Sequence, residues 1–293
     1  MPRRLGVVAA LVAVLAAGCE RAPERPVARL AVSPAEVALA HPGSVPVELA
    51  WTPLSPLGEV DGELRVFVHL LDGEGEIART FDHPFPFAWE VGRAAPAHTL
   101  ELYQSALGPA LPAGEYALTV GLYDGSGRRW ALDSAGEEVG RQEYRVATVR
   151  ATGAAEAAPR FGFAGGWLPL EAGGDRQILG RRWTTGPAAI EVGGAGEAGE
   201  LALSLHVPRP PEGIELRLPE GSGEPRLRVA SDCDGGEHLF AGFGAHRLSI
   251  AVAPGETCRV TIAPGFELVW PEGPPRGALL ENLYWRSGTA GGA

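Results

Sequence analysis

The chain contains no lysine; all 25 of its basic residues are arginine. That absence excludes several chemistries. A P-loop lysine on a nucleotide phosphate, a Schiff-base lysine and a Ser-x-x-Lys acylation site are all impossible here. Basic runs are missing too, and the formal net charge is −11. No nucleic-acid partner is expected from that balance, because phosphate backbones are held by clustered cations. There is no Gly-x-Ser-x-Gly elbow and no zinc-helix motif, and the seven histidines are scattered, His69 and His206 among them. With no nucleophile–base–orienter set in view, the sequence predicts no enzyme, no catalytic residue, no metal and no cofactor.

Glycine and proline are abundant, at 41 and 26 of 293 residues. That is too much for a helical protein, and the strict period of collagen is absent. With 45% hydrophobic residues the chain is also too apolar for global disorder. Many short strands joined by tight turns remain.

Arg3 and Arg4 precede an apolar run from Leu5 to Gly18, which ends in Leu15-Ala-Ala-Gly-Cys19. A positive start, a short apolar stretch and small residues make a secretory signal, and the stretch is short for a membrane span. Small residues before Cys19 resemble the lipobox of bacterial lipoproteins, although Ala16 stands three places before the cysteine where that family usually has leucine. The resemblance implies cleavage after residue 18, acylation of Cys19 and a membrane anchor. Each buried methylene adds about 0.8 kcal/mol, so several acyl chains on one residue hold almost permanently. Residues 19–26 then form a polar, proline-bearing tether. By the same resemblance Glu20, which is not aspartate, points to the outer membrane facing the periplasm.

From residue 27 the pattern has period two. Leu64, Val66, Val68 and Leu70 alternate with Arg65, Phe67, His69 and Leu71, and Tyr116, Leu118, Val120 and Leu122 alternate likewise. Further strands are predicted at 28–32, 36–40, 45–51, 98–103 and 142–149. Some eight strands in residues 27–150 suit an immunoglobulin-like β-sandwich. Two stretches are more specific: Val66-Phe-Val-His-Leu-Leu-Asp72 and Leu111-Pro-Ala-Gly-Glu-Tyr-Ala-Leu-Thr-Val-Gly-Leu-Tyr-Asp124. They resemble the soluble β-sandwich module appended to bacterial polytopic membrane glycosyltransferases, over about residues 45–132. The catalytic membrane part of that family has no counterpart here, so the resemblance implies no transferase activity.

Residues 151–159 read as a linker, small and featureless. The strand pattern then resumes over 160–286, at Leu201 to Val207, Ile214 to Leu218, Leu248 to Val252 and Val260 to Ile262. Phe161 to Trp167 and the pair Arg182-Trp183 resemble a motif that follows the same module in those transferases. Residues 287–293 read as a frayed tail. The fold class is therefore all-β: two tandem β-sandwiches, immunoglobulin-like or jelly-roll-like, after a signal peptide and tether.

Two cysteines remain once Cys19 carries lipid. In an exported chain Cys233 and Cys258 suggest a disulfide, the alternative being two free thiols with Cys258 buried. Asp232, Asp234, Glu237 and His238 form an acidic loop that reads as solvated and rich in turn formers; the alternative is a hard cation held by its carboxylates, for which the 12-residue calcium-loop pattern is missing. Phe81 to Trp89 packs five rings, His83 included, into nine residues; the rings either close one end of the first core or form an apolar recognition surface around Trp89. Exposed indoles can stack on sugar rings. Trp167 and Trp183, with Glu171, Asp175, Arg181 and Arg182 nearby, offer ring, carboxylate and guanidinium together. The functional expectation is a non-catalytic, lipid-anchored envelope module that binds a glycan or lipid-linked saccharide. One alternative is a structural lipoprotein that docks envelope proteins. Another, a glycoside hydrolase, needs two carboxylates facing one cleft.

Overall fold

The computed structural model describes residues 25–154, 158–173 and 178–288. The signal segment, Cys19, most of the tether, Asp175 and the end of the tail lie outside those residues. Every regular element described is a strand.

The first half holds β1 (Ala28–Ser33), β2 (Glu36–His41), β3 (Gly43–Pro53), β4 (Arg65–Leu71), β5 (Ile77–Thr80) and β6 (His83–Pro84). It continues with β7 (His98–Gln104), β8 (Gly114–Tyr123), β9 (Arg129–Trp130), β10 (Leu132–Ser134), β11 (Glu137–Gly140) and β12 (Glu143–Ala154). One sheet runs β10-β1-β3-β7, the other β11-β12-β8-β4-β5, with β2, β6 and β9 attached to β12, β4 and β8. The alternation decides which residues face inward. Val47, Leu49 and Trp51 of β3 and Leu118, Val120 and Leu122 of β8 are buried between the sheets. Phe81, Phe85, Phe87 and Trp89 pack on this core, with the Trp51 and Phe85 rings edge to face at 5.5 Å. The aromatic loop thus closes one end of the sandwich.

Strand β12 runs through Ala154, so residues 151–154, read from composition as linker, extend the sheet. They pair with β2, where Ala151 lies opposite Leu39. Small side chains fit a close-paired strand as readily as a loop, which is why composition misplaced them.

The second half holds β13 (Arg160–Trp167), β14 (Glu171–Ala172), β15 (Gly180–Gly193), β16 (Gly199–Val207), β17 (Glu215–Arg217) and β18 (Arg226–Ser231). After these come β19 (Glu237–Ala241), β20 (Gly244–Val252), β21 (Thr257–Pro264), β22 (Glu267–Val269) and β23 (Leu279–Ser287). The long β15 belongs to both sheets. Its first part pairs with β14 and β23, its second with β13 and β21. The switch falls at Gly186, whose φ of 144° a side chain would resist, followed by Pro187. One layer is therefore β19-β18-β21-β15-β13 and the other β15-β23-β16-β20. Between them lie Leu201, Leu203, Leu205, Ile190, Ile250, Val260 and Ile262. Cys233 and Cys258 form the disulfide.

The two halves are joined by more than the chain. Ser105 Oγ accepts from the backbone N–H of Leu283, the N–H of Ala106 donates to the Leu283 carbonyl at 2.6 Å, and Leu107 is buried in the second core. Tyr103 of β7 and Tyr284 of β23 stack with centroids 4.7 Å apart.

Candidate functional site

The first part of β15, with β23, the end of β16 and the segments after β16 and β22, builds a cleft of about 330 Å³ on the second sandwich. Alternation along β15 sends Arg181 and Trp183 to the cleft side and Arg182 to the other. Pairing of β14 with β15 sets Glu171 opposite Arg181. Arg276 is held by its backbone, which exchanges hydrogen bonds of 2.7 and 3.0 Å with Leu268. The next residue must be glycine, because a Cβ on Gly277 would lie 2.6 Å from both Pro264 and Thr184 side-chain atoms.

Arg276 is the centre of the arrangement. Its guanidinium carbon lies 5.2 Å from the Trp183 ring centroid and 5.0 Å from that of Trp270, so the cation is layered between two indoles. Its Nη1 donates to Glu171 Oε1 at 3.1 Å, and Trp183 Nε1 donates to Glu171 Oε2 at 3.2 Å. Arg181 Nε stands 3.4 Å from the same Oε2. With both oxygens engaged by donors, Glu171 is suited to brace the arginines and not to deliver a proton. On the opposite wall His206 Nδ1 lies 3.6 Å from Glu281 Oε1, and Pro208, Pro211 and Leu279 supply apolar surface. Trp270 Nε1 is buried without a hydrogen-bond partner.

The residues singled out from sequence divide among several places. Trp183 lines this cleft and Glu171 stands behind it, bonded to Trp183 and Arg276; but Trp183 is only 7% exposed and one ring face meets Arg276, so it is not the open stacking platform expected. Trp167 is half-buried, donates to the Ala189 carbonyl at 2.8 Å, and sits edge-on to Phe163. Arg182 lies over the Phe163 ring at 4.3 Å. Trp167 and Arg182 thus form a separate cluster. Trp89 belongs to the first core and donates to Ser55 O at 3.0 Å. Trp270, Arg276 and Glu281 were not picked out, since the proline-rich segment 270–275 carries no period that would have aimed them. In the acidic loop, Asp232 accepts from the Arg259 N–H, Asp234 from that of Gly236, and Glu237 pairs with Arg228. Cys233 and Cys258, beside Asp232, are bonded to each other.

No protein-family model and no curated protein matches the chain. Solved structures give remote likenesses. The carbohydrate-binding module TmCBM61, solved with β-1,4-galactotriose, is 13% identical with a TM-score of 0.24, over 43% of this chain and 86% of that one. The tandem CBM22 modules of Paenibacillus barcinonensis Xyn10C are 10% identical with a TM-score of 0.23, over 82% and 87%. Tripeptidyl peptidase 2 is 11% identical with a TM-score of 0.25, over 89% of this chain and 20% of that one. At these values the likeness says nothing of ligand or activity, and what the chain shows by itself is an all-β protein of two tandem sandwiches with a small, aromatic-walled cleft on the second.

Proposed function

We propose that this chain is an exported lipoprotein, anchored through acylated Cys19 at the outer membrane and facing the periplasm, and that it is a non-catalytic module binding a short saccharide in the Trp270–Arg276 cleft. One observation carries the binding reading: an indole wall, two guanidinium groups and the Glu281 carboxylate converge on a cavity of about 330 Å³, near the lower end of ligand-pocket volumes. Trp270 and the two prolines would meet the carbon face of a sugar ring. Arg181, Arg276 and Glu281 would meet its hydroxyls, which both donate and accept. Trp183 contributes by holding Arg276 in place.

The test is intrinsic tryptophan fluorescence of the full chain in a sugar-free detergent, titrated with a panel of envelope glycans. A saturable change is expected, weakened tenfold or more in Trp270→Ala and Arg276→Ala and untouched in Trp89→Phe. A folded protein that gives a flat titration across the panel rejects the saccharide reading. The second reading, docking of an envelope protein, is favoured by β19, an edge strand on which Leu239 is 62% exposed; Leu239→Lys would abolish such docking and leave glycan titrations unchanged. Metabolic labelling with an alkyne-tagged fatty acid tests the anchor, with Cys19→Ser losing the label.

A further inference from the structure

Strand β4 is buried on both faces. Val66, Val68 and Leu70 face the first core, yet on the opposite side Phe67 and His69 are only 2% and 7% exposed. A buried imidazole needs partners. His69 Nδ1 lies 3.1 Å from Glu143 Oε1, and Thr119 donates to that same oxygen at 2.6 Å. Arg129 spans the Phe67 ring at 4.4 Å and reaches Glu143 Oε2 at 3.5 Å, so its charge is matched by that carboxylate. A carboxylate can only accept, which assigns a proton to Nδ1, so in the neutral imidazole Nε2 carries the lone pair.

That second nitrogen makes no hydrogen bond. Asp82 Oδ1 stands 3.6 Å from it, beyond hydrogen-bond reach, and Asp82 is itself fixed by the Val68 N–H at 3.0 Å. His69 and Asp82 both line a cavity of about 210 Å³, together with Phe67, Tyr123, Gly127 and Arg129, whose charge the Glu143 carboxylate offsets. Two acceptors aimed at one space are drawn together by a cation. An ion about 2.1 Å from each, at a tetrahedral angle, separates its ligands by about 3.4 Å, close to the spacing here. A carboxylate on the far nitrogen is also what stands behind metal-bound histidines. Imidazole with one carboxylate favours a first-row transition dication over calcium or magnesium, which take oxygen ligands.

We propose that His69 Nε2 and the Asp82 carboxylate bind a zinc-class dication on the first sandwich, with water completing its coordination and Glu143 as a positioning residue. The site is separate from the saccharide cleft and stands or falls independently of it. The experiment is calorimetric titration of the full chain, carrying no polyhistidine tag, with zinc chloride, and absorption spectroscopy of the cobalt(II) form. One equivalent is expected to bind. Asp82→Asn, which can keep the Val68 hydrogen bond, and His69→Asn should each weaken binding tenfold or more. Glu143→Gln should weaken it about 10- to 100-fold and shift the cobalt bands, which a purely structural residue would not do. Melting curves establish that each variant is folded, and Asp82→Asn decides the matter if His69→Asn is not. No uptake by the folded wild type overturns the proposal, as does uptake unchanged in Asp82→Asn.

Discussion

Removal of the Cys233–Cys258 bridge is expected to destabilise the second sandwich by about 3.5 kcal/mol, the loop-closure entropy of a segment of this length. The two cysteines are 25 residues apart in sequence. The closed loop contains β19 and β20, one an edge strand of one layer and the other an edge strand of the opposite layer. The bridge therefore holds both outer margins close to β21 in the unfolded chain as well as the folded one. Cys258 is buried beside Val260 and Ile262, so a serine there would also place a hydroxyl among apolar side chains. The double variant Cys233→Ser/Cys258→Ser should melt about 10 °C lower than the oxidised wild type, followed by circular dichroism. Reductant should bring the wild type to a similar value. A melting temperature indifferent to both changes would remove the bridge from any account of stability.

Replacement of Arg286 by alanine is expected to cost about 2 kcal/mol and to separate the unfolding of the two halves. Arg286 reaches Glu101 through Nε at 2.6 Å and Nη2 at 2.5 Å, and Glu200 through Nη1 at 2.5 Å. Such forked pairs are strong and directional. Glu101 also accepts from Ser44 and Tyr284, each at 2.8 Å, so the carboxylate ties β3, β7 and β23 together. Breaking a fully buried pair costs more, but these side chains are 35% and 24% exposed and water screens them. Burial opposes the charge on Glu101, yet hydrogen bonds from Arg286, Ser44 and Tyr284 outweigh it and hold its pKa below the ordinary 4.5. A carboxylate depressed in this way adds stability that is complete above its unfolded pKa and lost as pH falls through the lower folded one. The penalty of Arg286→Ala should thus be full at neutral pH and shrink below pH 4.5, where the unpaired acid takes up a proton. Scanning calorimetry at both pH values reads this directly: one transition for the wild type, two for the variant at neutral pH. A single transition in the variant would mean that the stacked tyrosines and Leu107 suffice to couple the halves.

The strands were legible because each has one face turned to a core. The run Leu201 to Val207 announces β16, and Tyr116 to Leu122 announces β8, with limits close to those observed. The disulfide was legible from cysteine number together with the export that the N-terminal resemblance implies. The outer face of β4 was less so: Phe67 and His69 sit at positions that alternation assigns to solvent, and they are covered by Glu143 and Arg129 from strands far along the chain. The cleft was half legible. Glu171 and Trp183 lie in a short segment that folds on itself through β14 and β15, so proximity in sequence became proximity in space. Arg182 was assigned to the same site, but successive residues of a strand point to opposite sides. Arg276 reaches Glu171 across 105 positions of sequence, and no local pattern encodes such a meeting.

Leu107 comes from the first half of the chain and is buried in the core of the second. A gene fragment beginning near residue 160 would make a sandwich with a gap where that side chain belongs, and one ending near 154 would leave a leucine without cover. The two sandwiches are therefore a poor unit of exchange. A recombination event that moved either one into another protein would have to carry the 105–111 loop or a substitute for it, so inheritance of the pair as a single block is the arrangement this packing favours.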